Sequence, residues 1–156
     1  MSDLDINTSC YSQIHAGSVE VFLDLVNDYK IPVFQFFYRL FSDAGAAEGS
    51  AEKVFLRAFK MRKLLRSGTD LKGWMFRIAC DLLRTGDCFP ATKRTSANAS
   101  RIEQVVLALP LWEKSALLLH RYAGLTTSQI ALALRTTEFA AQDLLRRAYF
   151  TLTNGP

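Results

Sequence analysis

The segment that decides the fold is LPLWEKSALLLHRYAGLTTSQIALALRTTEFAAQDLLRRAYFTL, residues 109–152. Its apolar residues recur every three or four positions, which is the spacing of one buried helix face. Pro110 suits the start of a helix, and Gly124 suits its end. We therefore expect three consecutive helices here, separated by two tight turns.

Two threonines predict where the last two helices begin. Thr126 can cap a short helix, with Gln129 three residues later as the return partner of a capping box. Thr137 can cap the last helix, which continues to Leu152. A short helix, a tight turn and an amphipathic helix form a helix-turn-helix, the unit that lays its last helix in the major groove of DNA. A three-helix bundle that binds nothing fits the same pattern, so the pattern alone leaves both interpretations open.

The rest of the chain also predicts helices. Helical spacing of apolar residues covers most of the length, and the alternation typical of strands is missing. Pro32 predicts an interruption between a first helix and a second, aromatic-rich one. Asp70 is placed to cap a helix with a regular apolar stripe that includes Trp74, and Gly86 and Pro90 end that helix.

Two small helical domains are the simplest organisation of this all-α chain of 156 residues. Residues 91–100 are small and polar, with no aromatic or large aliphatic side chain, which is typical of a flexible linker. We predict a first domain over residues 1–86, a linker over 87–100, and a second domain with the helix-turn-helix over 101–156.

Composition excludes several classes of protein. No apolar run approaches the roughly 20 residues needed to span a bilayer, and the first residues are acidic, unlike a secretory signal. We therefore expect a cytoplasmic protein without membrane insertion. The three cysteines lack paired metal-ligand spacing, which favours reduced thiols. There is no nucleotide-binding glycine loop, nucleophile–base pair or metal cluster, so we expect no enzyme activity, cofactor or metal. The net charge of +4 permits a polyanionic partner.

Several short motifs occur in a defined order along the chain. They are FxxLVxxY (22–29), FYRL (37–40), AE (47–48) followed by VFLRAF (54–59), GWMFRIA (73–79), LP (109–110), GLT (124–126) and IA (130–131). Each motif alone is weakly specific. In this order and spacing they resemble the extracytoplasmic-function (ECF) sigma factors, the two-domain promoter-specificity subunits of bacterial RNA polymerase.

The resemblance implies a protein that binds core RNA polymerase and promoter DNA, with an anti-sigma factor as a further candidate partner. It implies that the helix of residues 46–59 docks on polymerase. The polymerase-binding residues expected there are Glu48, Glu52, Phe55 and Arg57. It also implies DNA contacts at the minus-ten and minus-thirty-five promoter elements. The residues expected to make them are Trp74, Arg77, Asp81, Arg84, Thr137, Gln142, Asp143, Arg146 and Arg147.

The chain departs from the family pattern in both helices of its first domain that are expected to contact partners. After AE, the family usually continues Asp-Leu-x-Gln-Glu, whereas this chain has GSAEK (49–53), which changes the charges offered to polymerase. After IA (78–79), the family normally has Arg-Asn and then basic residues, whereas this chain has Cys80 and Asp81. An aspartate facing phosphates is repelled rather than held.

The helix-turn-helix departs from the family pattern as well. The usual Thr-Val-Lys-Ser-Arg of the last helix is AAQDL (140–144), so two basic residues are gone. Gln142 can still pair with adenine, Asp143 can accept from cytosine, and Arg146 and Arg147 remain as phosphate contacts. Arg135 occupies the turn position where the family favours glycine, and a positive φ would be strained there.

Two functions therefore stay open at this point. The first is an active but divergent sigma factor, which the motifs around Arg57 and Trp74 favour. The second is a sigma-like interaction module that binds an anti-sigma factor or a polymerase-associated partner without reading promoters. The lost basic residues favour this second function.

Overall fold

The chain forms helices and connecting turns in the residues that the structure, a computed structural model, describes: 19–65, 69–88 and 100–155. The helices in these ranges are α1 (Val19–Phe41), α2 (Ala44–Met61), α3 (Leu71–Thr85), α4 (Arg101–Ala108), α5 (Leu111–Arg121), α6 (Thr127–Leu134) and α7 (Glu138–Asn154). A 3₁₀ turn, Arg62–Leu64, follows α2. The predicted all-α fold class is confirmed. No helix in the described ranges has both the length and the apolarity that crossing a membrane requires.

The two helices of the predicted helix-turn-helix, α6 and α7, begin where the sequence predicts. The Thr126 hydroxyl accepts from the Gln129 backbone N–H at 3.2 Å, and the Gln129 side chain accepts from the Thr126 N–H at 2.8 Å. This is a complete capping box, which satisfies two N–H groups that a helix start otherwise leaves unpaired. The Thr137 hydroxyl caps α7 by accepting from the Ala140 N–H at 3.1 Å.

The predicted interruption at Pro32 is wrong, because α1 continues through it for 23 residues. A proline inside a helix removes one backbone hydrogen bond and crowds the preceding turn, at a cost of about 3 kcal/mol. Phe22 and Leu25 are buried before it, and Phe36 and Phe37 are buried after it. Each of these side chains contributes about 1.5–3 kcal/mol when it leaves water. Tertiary packing of the single helix against α2 therefore outweighs the proline.

The prediction for Asp70 is right in position and wrong in its hydrogen bond. Asp70 directly precedes α3, but its side chain accepts no hydrogen bond from the start of that helix. Its carboxylate instead accepts from the side-chain amide of Gln129 on α6, at 2.5 Å. The side chain therefore contacts the second half of the molecule rather than capping its own helix.

One hydrophobic core runs through both halves of the chain. Phe36, Phe76 and Val54 from the first half are fully buried, as are Leu118 and Ile130 from the second half. All five belong to the same cluster of contacting buried residues. Helix α3 packs against α6, and α1 packs against α5. Packing between the halves is thus largely apolar.

The predicted domain boundaries agree with the helix ends but stay a prediction. Helix α3 ends at Thr85, and Gly86 closes it in the left-handed region, with φ 74°. Helix α4 starts at Arg101, after the capping residue Ser100. Most of the predicted linker, residues 89–99, lies outside the described residues. The structure adds that the two predicted domains share a core.

Burial is expected to make Cys80 unreactive. Its thiol is fully buried, and this raises its pKa to about 12, so almost no thiolate forms near neutral pH. Burial also raises the pKa of Cys88, although that side chain is only partly enclosed. With a maleimide at pH 7.5, followed by site-resolved mass spectrometry, Cys88 should be labelled while Cys80 stays unmodified until the chain is unfolded in guanidinium. Equal labelling rates in the native protein would contradict this assignment.

Candidate interaction surfaces

The expected polymerase-binding residues of α2 lie on two different sides of the helix. Since each residue turns a helix by about 100°, Glu48, Glu52 and Phe55 share one side, and Arg57 lies about half a turn from Glu48. The two glutamates are exposed, and Phe55 is half-buried against the core. One guanidinium nitrogen of Arg57, Nη1, is buried and has no hydrogen-bond partner among the described residues. The structure thus brings three of the four residues together.

Leu56 is a surface residue of α2 that sequence reasoning missed. It lies one turn after Glu52, and 55% of it is exposed. The sequence did contain a signal, because the buried stripe of α2 passes through Ala47, Ala51 and Val54, and position 56 lies off it. We call Glu48, Glu52, Phe55 and Leu56 the α2 strip.

The four expected DNA contacts of α3 share one face of that helix. Trp74, Arg77, Asp81 and Arg84 fall within about 80° around the axis. Trp74 is half-buried against the core, and the two arginines are exposed. Trp74, Arg77 and Asp81 line a cavity of about 270 Å³, which Arg135 from the second half also lines. This α3 face therefore lies next to the end of α6.

An ion pair joins Asp81 to the turn between α6 and α7. Arg135 binds both carboxylate oxygens of Asp81, with Nε at 2.7 Å from Oδ1 and Nη2 at 2.9 Å from Oδ2. Arg84 donates to the same carboxylate at 2.6 Å and to the Leu134 carbonyl oxygen, near the end of α6, at 2.7 Å. A two-pronged arginine–carboxylate contact is among the stronger charged hydrogen bonds. Two expected DNA contacts, Asp81 and Arg84, are thus occupied within the protein.

Arg135 adopts the strained conformation that the sequence indicated. Its backbone has φ 53° and ψ 47°, in the left-handed region at the end of α6. A non-glycine residue there costs about 1–2 kcal/mol. The ion pair with Asp81 helps to offset this cost. The two departures from the family pattern, Asp81 and Arg135, are therefore partners of each other.

The electrostatics of Asp81 follow from this contact. Burial raises the pKa of Asp81, but the hydrogen bonds and charges of Arg135 and Arg84 together outweigh it. The pKa of this carboxyl therefore lies below its ordinary value. Asp81 in turn raises the pKa of Arg135.

We expect the Asp81 contacts to stabilise the fold above about pH 4 and to be lost as pH falls further. The folded-state pKa is lower than that of the unfolded chain, so the contribution is complete above the unfolded value of ~3.9 and disappears as pH drops through the folded value. Urea unfolding at a series of pH values from 7 to 3 should show that Asp81→Asn loses less stability on acidification than the wild type. The difference should be at most about 1 kcal/mol, because the pair is partly exposed. If the free energy of unfolding fell in parallel for the two proteins as the pH is lowered, this prediction would be contradicted.

The two arginines of α7 are also paired with carboxylates of the same chain. Asp143 accepts from Arg146 at 2.6 Å and from Arg147 at 3.0 Å. The hydrogen bond from Arg146, with the charge of Arg147, holds the pKa of Asp143 below its ordinary value. Arg147 also lies 3.4 Å from Glu113 of α5. Gln142 is exposed on the same helix, whereas the Thr137 hydroxyl is used in capping.

Phe139 is a second surface residue that sequence reasoning missed. It is 81% exposed near the start of α7. It lines a groove of about 590 Å³ together with Trp112, Leu144 and Arg147. The sequence did contain a signal for its exposure, because position 139 lies off the buried stripe of α7, which passes through Ala141.

The described ranges contain no cluster of three or more histidine, cysteine, aspartate or glutamate residues arranged to hold a metal ion. The faces of α3 and α7 combine cations, carboxylates and exposed aromatic groups.

Comparison with known proteins identifies relatives of this chain. No protein-family model matches it. The ECF RNA polymerase sigma factor SigW of Bacillus subtilis (strain 168) is 30% identical over 70 residues, which is 45% of this chain. The chain covers only 37% of the length of that relative.

Solved structures share the fold over most of the chain. CnrH, in complex with the cytosolic domain of CnrY, has a TM-score of 0.81 at 16% identity and covers 94% of each chain. The sigma factor RpoE of Bartonella quintana, in complex with the anti-sigma factor NepR, has a TM-score of 0.67 at 15% identity, over 83% of this chain and 94% of RpoE. Likeness at these identities establishes the fold. The match to SigW and the fold shared with RpoE together confirm that this chain resembles the ECF sigma factors, as the order of its motifs indicated.

Proposed function

We propose that this chain is a divergent ECF-type sigma factor, which binds core RNA polymerase and directs it to promoter DNA. The observation that carries the proposal is the α2 strip. This exposed combination of two carboxylates and a leucine lies on the helix that the resemblance assigns to polymerase docking. An exposed apolar residue flanked by charges is suited to a protein contact.

Promoter contact is proposed through Trp74 and Arg77 on α3 and through Gln142 and Arg146 on α7. Arg77, Gln142 and Arg146 are exposed, so they can reach DNA without rearrangement within their own helices. The work is positioning and phosphate electrostatics, which needs no catalytic group. Since Asp143 neutralises the arginines of α7, we propose that promoter recognition occurs only when polymerase holds the chain on DNA.

Capture of core RNA polymerase by the immobilised full chain tests the proposal. The double variant Glu48→Ala, Glu52→Ala and the variant Leu56→Ala should each capture at least about fivefold less polymerase, the effect of losing roughly 1 kcal/mol. The matched control is Asp24→Ala, Asp28→Ala, which removes two exposed carboxylates from α1. This control should capture as much polymerase as the wild type.

Two results would overturn this assignment. One is a wild-type chain that captures no polymerase. The other is capture that survives the α2 variants and is abolished by deleting residues 109–156, which would move the docking surface to the second half. Circular dichroism of each variant verifies that helix content is unchanged.

A second candidate function is a sigma-like interaction module that binds an anti-sigma factor or a polymerase-associated partner without reading promoters. The pairing of Arg84, Arg135, Arg146 and Arg147 with carboxylates of the same chain favours it, since these four cations are then occupied rather than available to phosphates. RpoE, which shares the fold, is bound to an anti-sigma factor in its structure. Transcription by core polymerase from a randomised promoter library separates the two functions. A promoter-specific product supports the sigma factor, and polymerase capture without any such product supports the interaction module.

A further inference from the structure

The α3 face that is proposed to meet promoter DNA is turned toward the second half of the same molecule. Asp81 and Arg84 bind the turn between α6 and α7, and Trp74 shares its cavity with Arg135. A side chain hydrogen-bonded within the protein is not available to a phosphate or a base. The arrangement of the two halves is therefore incompatible with full use of this face.

We propose that the chain inhibits itself: the closing ion pair, Asp81 with Arg135, holds the helix-turn-helix against the promoter-facing side of α3, and the halves must separate before that side can bind DNA. The inference rests on the proposed function and adds its regulation. It requires no partner protein, because both halves belong to one chain.

Two further polar contacts between the halves support a defined closed arrangement. The Gln129 side chain donates to Asp70 at one end of α3. The guanidinium of Arg39 on α1 lies 3.8 Å from the centre of the Tyr122 ring, at the end of α5. Directional polar contacts of this kind help to fix how the halves are oriented, while the shared apolar core supplies most of the attraction.

The closing ion pair is built to be reversible. Half of the Arg135 side chain is exposed, and about a fifth of the Asp81 side chain is exposed. Salt screens such a pair, and its net contribution is modest. DNA phosphates can also compete with Asp81 for Arg135 and Arg84, because each arginine fork fits a phosphate as well as a carboxylate. Opening would exchange one anionic partner for another and free two cations for the promoter.

The backbone of Arg135 gives a further reason to assign the pair a role. A glycine would occupy this left-handed position without strain, yet the position holds the arginine that reaches across to α3. The side-chain contact is therefore kept in spite of the backbone conformation.

Small-angle X-ray scattering of the full chain tests the closure. Asp81→Asn removes the carboxylate charge with little change of shape, and it should raise the open-to-closed ratio by about two- to fivefold, as loss of a partly exposed pair allows. The radius of gyration should rise accordingly. Asp143→Asn is the matched control, since it breaks arginine pairs that lie within α7. The control should stay as compact as the wild type.

A charge exchange makes the test specific. Arg135→Asp alone should expand the chain, and the double variant Asp81→Arg, Arg135→Asp should restore the compact form. If both single variants stay as compact as the wild type, or if the double variant is as expanded as Arg135→Asp, the closing role is overturned.

Polymerase-dependent binding of a fluorescent fork-junction promoter fragment measures the consequence. In complex with polymerase, Asp81→Asn should bind it more tightly than the wild type, whereas Asp24→Asn, which neutralises an exposed carboxylate of α1, should bind it as the wild type does. If Asp81→Asn expands the chain but does not gain promoter binding over that control, self-inhibition is overturned. If neither the wild type nor any variant captures polymerase, the proposed function fails, while the scattering result still decides the closure.

Discussion

Replacing Phe76 with alanine is expected to lower the free energy of unfolding by about 3–5 kcal/mol. Phe76 is fully buried at the centre of the shared core, with its ring centre 5.9 Å from that of Phe36 in an edge-to-face arrangement. Truncation removes the apolar contacts and leaves a cavity that surrounding helices fill only in part. The melting temperature of a chain of this size should fall by about 10 °C, measured by circular dichroism.

The matched control is Phe139→Ala, the same substitution at a residue that is 81% exposed. It should change the free energy of unfolding by less than about 0.5 kcal/mol. Because the core includes residues from both halves, Phe76→Ala should shift a single transition that reports on the whole molecule. Two separate transitions, of which only one moves, would contradict the shared core and support independent domains.

Changing Asp143 to lysine is expected to strengthen binding to free duplex DNA and to steepen its dependence on salt. The wild-type chain should bind such DNA weakly, since Asp143 pairs with both Arg146 and Arg147. The substitution adds one cation and releases Arg146, while Arg147 keeps Glu113 as a neighbour, which permits two to three more phosphate contacts. Each contact contributes about 0.9 to the salt slope, so the variant should lose roughly 10- to 40-fold more affinity than the wild type between about 50 and about 200 mM salt.

Gln142→Lys is the control for this prediction. It adds one cation to the same exposed face but leaves the Asp143 pairs in place, so its salt slope should rise by only about 0.9. Fluorescence anisotropy with a fixed duplex over a salt series measures all three proteins. Equal slopes for the two variants would show that Asp143 does not restrain the arginines, and tight sequence-specific binding by the unmodified chain alone would contradict the prediction that it binds weakly.

Much of the fold could be predicted from local patterns in the sequence. Thr126 with Gln129, and Thr137, cap α6 and α7 as predicted, because capping joins residues only three apart and depends on local backbone geometry. The apolar stripes likewise predict the buried faces of the helices, since helix periodicity is a property of neighbouring residues. The positions of Glu48, Glu52 and Phe55 on one side of α2 follow from the same periodicity.

Other features were decided only by contacts between distant segments. Pro32 lies within a continuous helix because packing against α2 outweighs its local cost, and Asp70 binds Gln129, 59 positions away, rather than its own helix. Asp81 and Arg135, 54 positions apart, each depart from a different motif of the family pattern, yet they form one ion pair.

The physical reason is the range of the interactions involved. Capping and periodicity act within one or two turns, so the sequence by itself determined where most of the helices lie and which faces they bury. Which partner a charged side chain finds depends on how the helices pack, and packing is set by the combined shape of many buried side chains. The tertiary structure alone therefore decided that the residues expected to touch DNA on α3 are turned toward the end of α6 in the same chain.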